Sequence, residues 1–116
     1  MEDRLSRTLE ALADPARLAV VRLLRKKPRR SSEIADALSL NRPATSKHLE
    51  VLRQAGLVEA ELIDEDARAR MYRLLPERFS ELRDFVDDVE AYWGDQLASF
   101  KGHVERKHGG AGGRRK

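Results

Sequence analysis

Cysteine is absent from this chain, which removes disulfides, thiolate metal sites, thiol redox sensing and cysteine nucleophiles together. No apolar run approaches the roughly 18 residues needed to span a bilayer, because charges interrupt every stretch. The start, Met1-Glu2-Asp3-Arg4, lacks the basic opening and apolar core of an export signal, so a cytoplasmic protein without membrane association is expected. There is no glycine-rich phosphate loop and no Ser-His-Asp arrangement with a nucleophile elbow, which argues against an enzyme. No internal repeat is present either.

What remains is 116 residues, 41% hydrophobic and 37% charged, enough for one domain with one modest core. The net charge is only +3, but it is unevenly placed. Residues 22–54 hold nine basic and three acidic side chains, while the segments before and after are slightly acidic. Such a concentration suits a polyanion-binding surface, since Lys and Arg displace condensed counterions from phosphates; a solvated basic helix would look the same by charge alone.

Four stretches show helical periodicity. The first, over about residues 3–13, spaces Leu5, Leu9 and Leu12 by four and three. The second is opened by Asp14 as a cap and by Pro15, carries Leu18, Val21 and Leu24, and must end before Pro28. A short third helix begins at Ser31 or Ser32 and carries Ile34, Ala35 and Leu38. The fourth has Asn41 as its cap, Pro43 in the first turn, Leu49 and Leu52 facing inward, and Gly56 just past its end. Only Ser39-Leu40-Asn41 separates the third from the fourth, with Leu40 placed to plug the angle between them. That is the helix-turn-helix pattern.

After Gly56 the period becomes two. Val58, Ala60 and Leu62 alternate with Glu59 and Glu61, a polar run breaks the pattern at residues 64–68, and Tyr72 and Leu74 then face opposite to Met71 and Arg73. The expected fold is therefore mainly α with a small β-hairpin, a winged helix-turn-helix with a long C-terminal dimerisation helix. That helix, predicted from about Glu77 to Lys107, carries Phe79, Leu82, Val86, Val89, Trp93, Leu97, Phe100 and Val104 as an apolar stripe. One winged domain is too small to cover it, so a homodimer is expected. Its interface draws on Leu5, Leu9, Val86, Val89, Trp93, Leu97 and Phe100. Asp84, Asp87 and Asp88 fall on the solvent side of the same helix. Tyr92 and Trp93 could line a small-molecule pocket, although aromatic residues in such a stripe more often form plain core. Residues 1–108 are expected to form the DNA-binding and dimerisation domain, and residues 109–116 a flexible basic tail.

A helix enters the major groove N-terminus first. Here that surface runs through residues 42–48. Arg42 and Lys47 can reach guanine or phosphate, Thr45 can offer its hydroxyl or methyl, Ser46 can donate to phosphate, and His48 can donate to a base or phosphate. The expected partner is double-stranded DNA, and no cofactor is called for.

The strings Ala13-Asp14-Pro15-Ala16-Arg17-Leu18, Ser32-Glu33-Ile34-Ala35, Arg42 through Leu52 and Ala55-Gly56-Leu57-Val58 resemble the ArsR/SmtB family of bacterial winged helix-turn-helix repressors. The resemblance runs from about residue 5 to 75. It implies a homodimer whose two recognition helices read an inverted repeat in a promoter, with repression usually relieved by an effector, here unnamed. By position, Asn41, Arg42, Thr45, Ser46, Lys47 and His48 match the family's recognition segment, and Arg68 and Arg70 its wing arginines. Two departures stand out. Asp64, Glu65 and Asp66 make the wing tip acidic where the family is basic or glycine-rich. The family's metal sites are also incomplete: cysteines are missing, and no Asp-x-His-x10-His pattern can be completed from Asp84, Asp87, Asp88 or Asp95. His103 and His108, five residues apart, cannot chelate one ion from the same helical turn. A metal-independent member is expected. The competing reading is a winged-helix protein-interaction module without operator binding, supported by the acidic wing alone.

Overall fold

The computed structural model describes residues 3–64 and 69–108, with side chains as far as Leu97. The chain divides into two compact units, Met1–Leu82 and Arg83–Lys116, and each is taken by itself. The first unit holds α1 (Arg4–Leu12), α2 (Pro15–Leu24), β1 (Arg29–Arg30), α3 (Ser31–Leu38), α4 (Arg42–Gln54), β2 (Val58–Asp64) and β3 (Ala69–Leu74). A 3-10 turn at Pro76–Phe79 then leads into α5 (Ser80–His108), most of which forms the second unit.

Capping chemistry sets the helix starts. Asp3 accepts from the Ser6 N–H at 2.8 Å, and Asp14 accepts from the Ala16 and Arg17 N–H groups at 2.8 and 3.2 Å. Val20, Leu24, Ile34, Leu49, Leu52, Leu57 and Val58 interlock as the core, with Ala11 closing it from α1. In α1, Thr8 and Ala11 are buried and Leu12 packs against the core, while Leu9, expected at the dimer interface, is 41% exposed. Residues 8, 11 and 12 share one face of the helix. The small pair Thr8 and Ala11 lets the backbone approach closely, while Leu5 and Leu9 lie on the flank. In α2 the buried pole is Val20 and Leu24, and the predicted Leu18 and Val21 are half-buried beside it.

The sheet has three strands in the order β1-β3-β2, one more than the hairpin expected. β1 is two residues long and pairs Arg29 with Tyr72 and Arg30 with Met71. Two residues are too few to display alternation, which is why the strand is silent in the sequence. β2 and β3 pair antiparallel from Val58 opposite Leu74 outward, and Glu59 and Arg73, directly opposite each other, form an ion pair. Leu62, expected to face the core, is 47% exposed, because β2 leaves the core beyond Ala60 and bulges between Leu62 and Asp64.

The last helix differs at its start. It is predicted from Glu77, but Pro76–Phe79 wind as a 3-10 turn in which Arg78 N–H bonds Leu75 C=O at 2.9 Å, and Phe79 packs against the core. α5 then runs 29 residues, about 44 Å at 1.5 Å per residue. No helix among the described residues is long and apolar enough to cross a membrane.

Candidate nucleic-acid interface

The amino end of α4 is built by Asn41. Its extended backbone stops the preceding turn, and its side chain accepts from the Ala44 N–H at 2.8 Å. Arg42, Ser46 and Lys47 are exposed, while Leu49 and Leu52 are buried against the core. Thr45 falls on the wrong side. It is 2% exposed, and its hydroxyl donates to the Asn41 carbonyl at 2.8 Å beside its own N–H at 3.0 Å. The expectation that Thr45 offers a hydroxyl or methyl to DNA is therefore corrected: four residues before Leu49 and seven before Leu52, it shares their inward face.

The turn before α4 closes around Ser39, whose φ of 56° is the left-handed conformation more usual for glycine. Leu40 N–H then bonds the Ala35 carbonyl at 2.9 Å, and the Leu40 side chain is half-buried.

Arg42 and Ser46 do not stand alone. With Arg30, Ser31, Ser32, Arg70 and Tyr72 they line a concavity of about 400 Å³ between the first turns of α3 and α4 and strand β3. Three arginines and several hydroxyl-bearing residues line it, flanked by two helix amino ends with partial positive charge. Such a lining suits anionic oxygens, phosphate above all. Arg30, Ser31 and Ser32 are absent from the residues expected from sequence. Their signal was an Arg29-Arg30-Ser31-Ser32 run inside the basic stretch, and only the short β1–β3 pairing brings it beside Arg70.

Arg53 adds less than its charge suggests. It is paired with Glu50 at 2.9 Å, and its hydrogen bond holds the Glu50 carboxyl below the usual range. His48 is half-buried, with its Nδ1 3.4 Å from Nη1 of Arg17 on α2. That guanidinium also donates from Nε to the Ala11 carbonyl at 2.6 Å and lies 3.8 Å from Asp14 Oδ2. The Asp14 carboxyl is held below its ordinary value, first by the Arg17 N–H, then by the Ala16 N–H and by the charge of Arg17.

Arg70 is exposed on β3, and Arg68, with Glu65 and Asp66, lies outside the described residues. Along α5, Phe85, Val86, Val89, Tyr92, Trp93 and Leu97 are exposed, Trp93 by 55%, and the Tyr92 and Trp93 rings meet edge to face at 6.1 Å. Phe100, Val104, His103 and His108 lie beyond the described side chains, and residues 109–116 outside the described residues.

Comparison with known proteins fits this geometry. Residues 14–60 match the bacterial regulatory protein, arsR family. The HTH-type transcriptional regulator Rv2034 of Mycobacterium tuberculosis is 37% identical over 95 residues, covering 81% of this chain and 82% of that protein. The chain belongs to the ArsR family. Another relative, the HTH-type transcriptional repressor SmtB of Mycobacterium tuberculosis, is 36% identical over 93 residues; these span 80% of this chain and 64% of the repressor. The solution structure of Mb0332 from Mycobacterium bovis is described as a homodimeric winged helix-turn-helix DNA-binding domain and a possible ArsR-family regulator. It superposes with a TM-score of 0.62 at 29% identity, covering 91% of this chain and 86% of that one. The helix-turn-helix of this ArsR-family chain is α3 and α4, and its wing is β2 and β3.

Proposed function

We propose that this ArsR-family protein is a homodimeric, sequence-specific DNA-binding regulator, a repressor that blocks its promoter by occupying an inverted repeat. The observation that carries the reading is the convergence of Arg30, Arg42 and Arg70 around one concavity at the amino end of an outward-facing α4. Base edges fall to Arg42, Ser46, Lys47 and His48, with Asn41 fixing the helix start; phosphates fall to Arg30, Ser31, Ser32 and Arg70, joined by Arg68 from the wing. Thr45 lines the same concavity but is almost wholly buried, so its part is packing.

Dimerisation is supported by the exposed Val86, Val89, Trp93 and Leu97 among the described residues of α5, by the exposed Leu9 of α1, and by the homodimeric assembly of the Mycobacterium bovis relative. A twofold pair sets two α4 helices about 34 Å apart, one turn of DNA. The repressor role is supported by the SmtB relative, and its mechanism is steric exclusion of polymerase.

The test is a mobility-shift titration on DNA upstream of the protein's own gene, at two salt concentrations. Binding that falls steeply with salt yet distinguishes sequences is expected. Arg42→Ala or Lys47→Ala should weaken it by about 1–3 kcal/mol with the fold intact. Absence of binding at low salt refutes the reading in favour of a protein-interaction module.

A further inference from the structure

Arg17 takes no part in the proposed interface, yet its guanidinium is engaged on several sides. Its side chain is 17% exposed and reaches two carbonyls in the last turns of α1, Ala11 at 2.6 Å and Glu10 at 3.5 Å. The Asp14 carboxylate 3.8 Å away offsets its charge. One nitrogen, Nη1, turns toward α4 and faces His48 Nδ1 at 3.4 Å.

The chemistry of the two groups assigns the direction of that contact. A guanidinium carries donors only and stays protonated, so the imidazole must accept at Nδ1. A neutral imidazole that accepts at one nitrogen carries its proton on the other. His48 therefore keeps Nε2–H, on the ring edge opposite Arg17, as its free polar group. Its neighbour Lys47 is exposed, and Leu49 is buried, so the ring stands at the border between the core and the outer face of α4.

We infer that Arg17 is a positioning residue for sequence reading: it orients His48 so that recognition helix α4 presents an Nε2–H donor to a base or phosphate acceptor. The inference rests on the operator-binding reading above. Base acceptors that such a donor fits are guanine N7 and O6, adenine N7 and thymine O4. The anchor of the arrangement is the carboxyl end of α1, so the donor's aim follows the seat of α1 on the domain.

A double-mutant cycle on operator affinity tests it, with Arg17→Met, His48→Ala and the pair, all assayed well below their unfolding temperatures. Each single variant is expected to bind about tenfold more weakly than wild type, and the pair no more weakly than His48→Ala alone. Replacing operator base pairs one at a time should show the same position losing its preference in both single variants. His48→Gln, which keeps an amide N–H donor, should recover most of the affinity. If the losses multiply in the pair, or His48→Ala binds like wild type, the inference falls while operator binding stands. If wild type binds no duplex, both fall. Should Arg17→Met not fold, Arg17→Lys supplies the cycle, since a single ammonium cannot hold α1 and His48 together.

Discussion

Thr45 offers the sharpest check on which residues of α4 read DNA. Thr45→Val keeps the shape and the buried methyl but removes the hydroxyl that donates to Asn41. The Asn41 carbonyl retains the Thr45 N–H at 3.0 Å, so no buried acceptor is orphaned. The loss is then one neutral hydrogen bond, about 0.5–1.5 kcal/mol. Thr45→Ser does the reverse, keeping the hydroxyl and losing a buried methyl worth about 0.8 kcal/mol before any cavity term. Both variants should melt several degrees below wild type, at roughly 4–8 °C per kcal/mol for a domain of 60–100 residues. Urea or thermal denaturation followed by circular dichroism measures this, and a mobility shift measures operator affinity, which should stay within about twofold for both. A Thr45→Val protein that melts like wild type yet binds its operator tenfold more weakly would refute the inward assignment and return the hydroxyl to the DNA.

Three further outcomes follow from the helix ends. Gly56 sits at φ 81°, so Gly56→Ala should destabilise by about 1–2 kcal/mol in chemical denaturation. Ser39 occupies the same left-handed region without being glycine, so Ser39→Gly should stabilise the fold by up to about 1 kcal/mol and raise the unfolding midpoint accordingly. Asp14 carries a pH signature. With its folded pKa held below the ordinary 3.8, its charge stabilises the protein above that value, and the contribution is lost as pH falls through the lower folded value. The stability difference between wild type and Asp14→Asn should therefore be constant near neutrality and shrink below pH 3.8. A difference that is flat across that range would show that the carboxylate's charge is not linked to folding.

Much of this architecture was legible from residue order, and the parts that were not have identifiable causes. The caps Asp14 and Asn41, the prolines that follow and Gly56 mark α2 and α4 because each residue type solves a terminus problem that few others solve. Leu49 and Leu52 were readable as core because their spacing repeats the helical period. Thr45 was misread because hydroxyl residues in a first turn suit both a groove and a backbone bond, and only the packed position separates them. Ser39 gave no sign of its left-handed backbone, since serine is rare there. Arg30, Ser31 and Ser32 could be seen as basic and polar, but their proximity to Arg70 arises from strand pairing across some forty residues. The Arg17–His48 contact is equally remote, thirty-one positions apart.

The two residues of β1 carry a consequence out of proportion to their length. Because Arg29 and Arg30 are stitched to Tyr72 and Met71, the segment that feeds α3 and the strand that returns from the wing share one set of backbone hydrogen bonds. A displacement of β3 is thereby transmitted to the start of the helix-turn-helix instead of dissipating in a loop. Anyone transplanting α3 and α4 onto another scaffold would have to carry this seam along, or the grafted pair would arrive without the brace that keeps its basic rim closed.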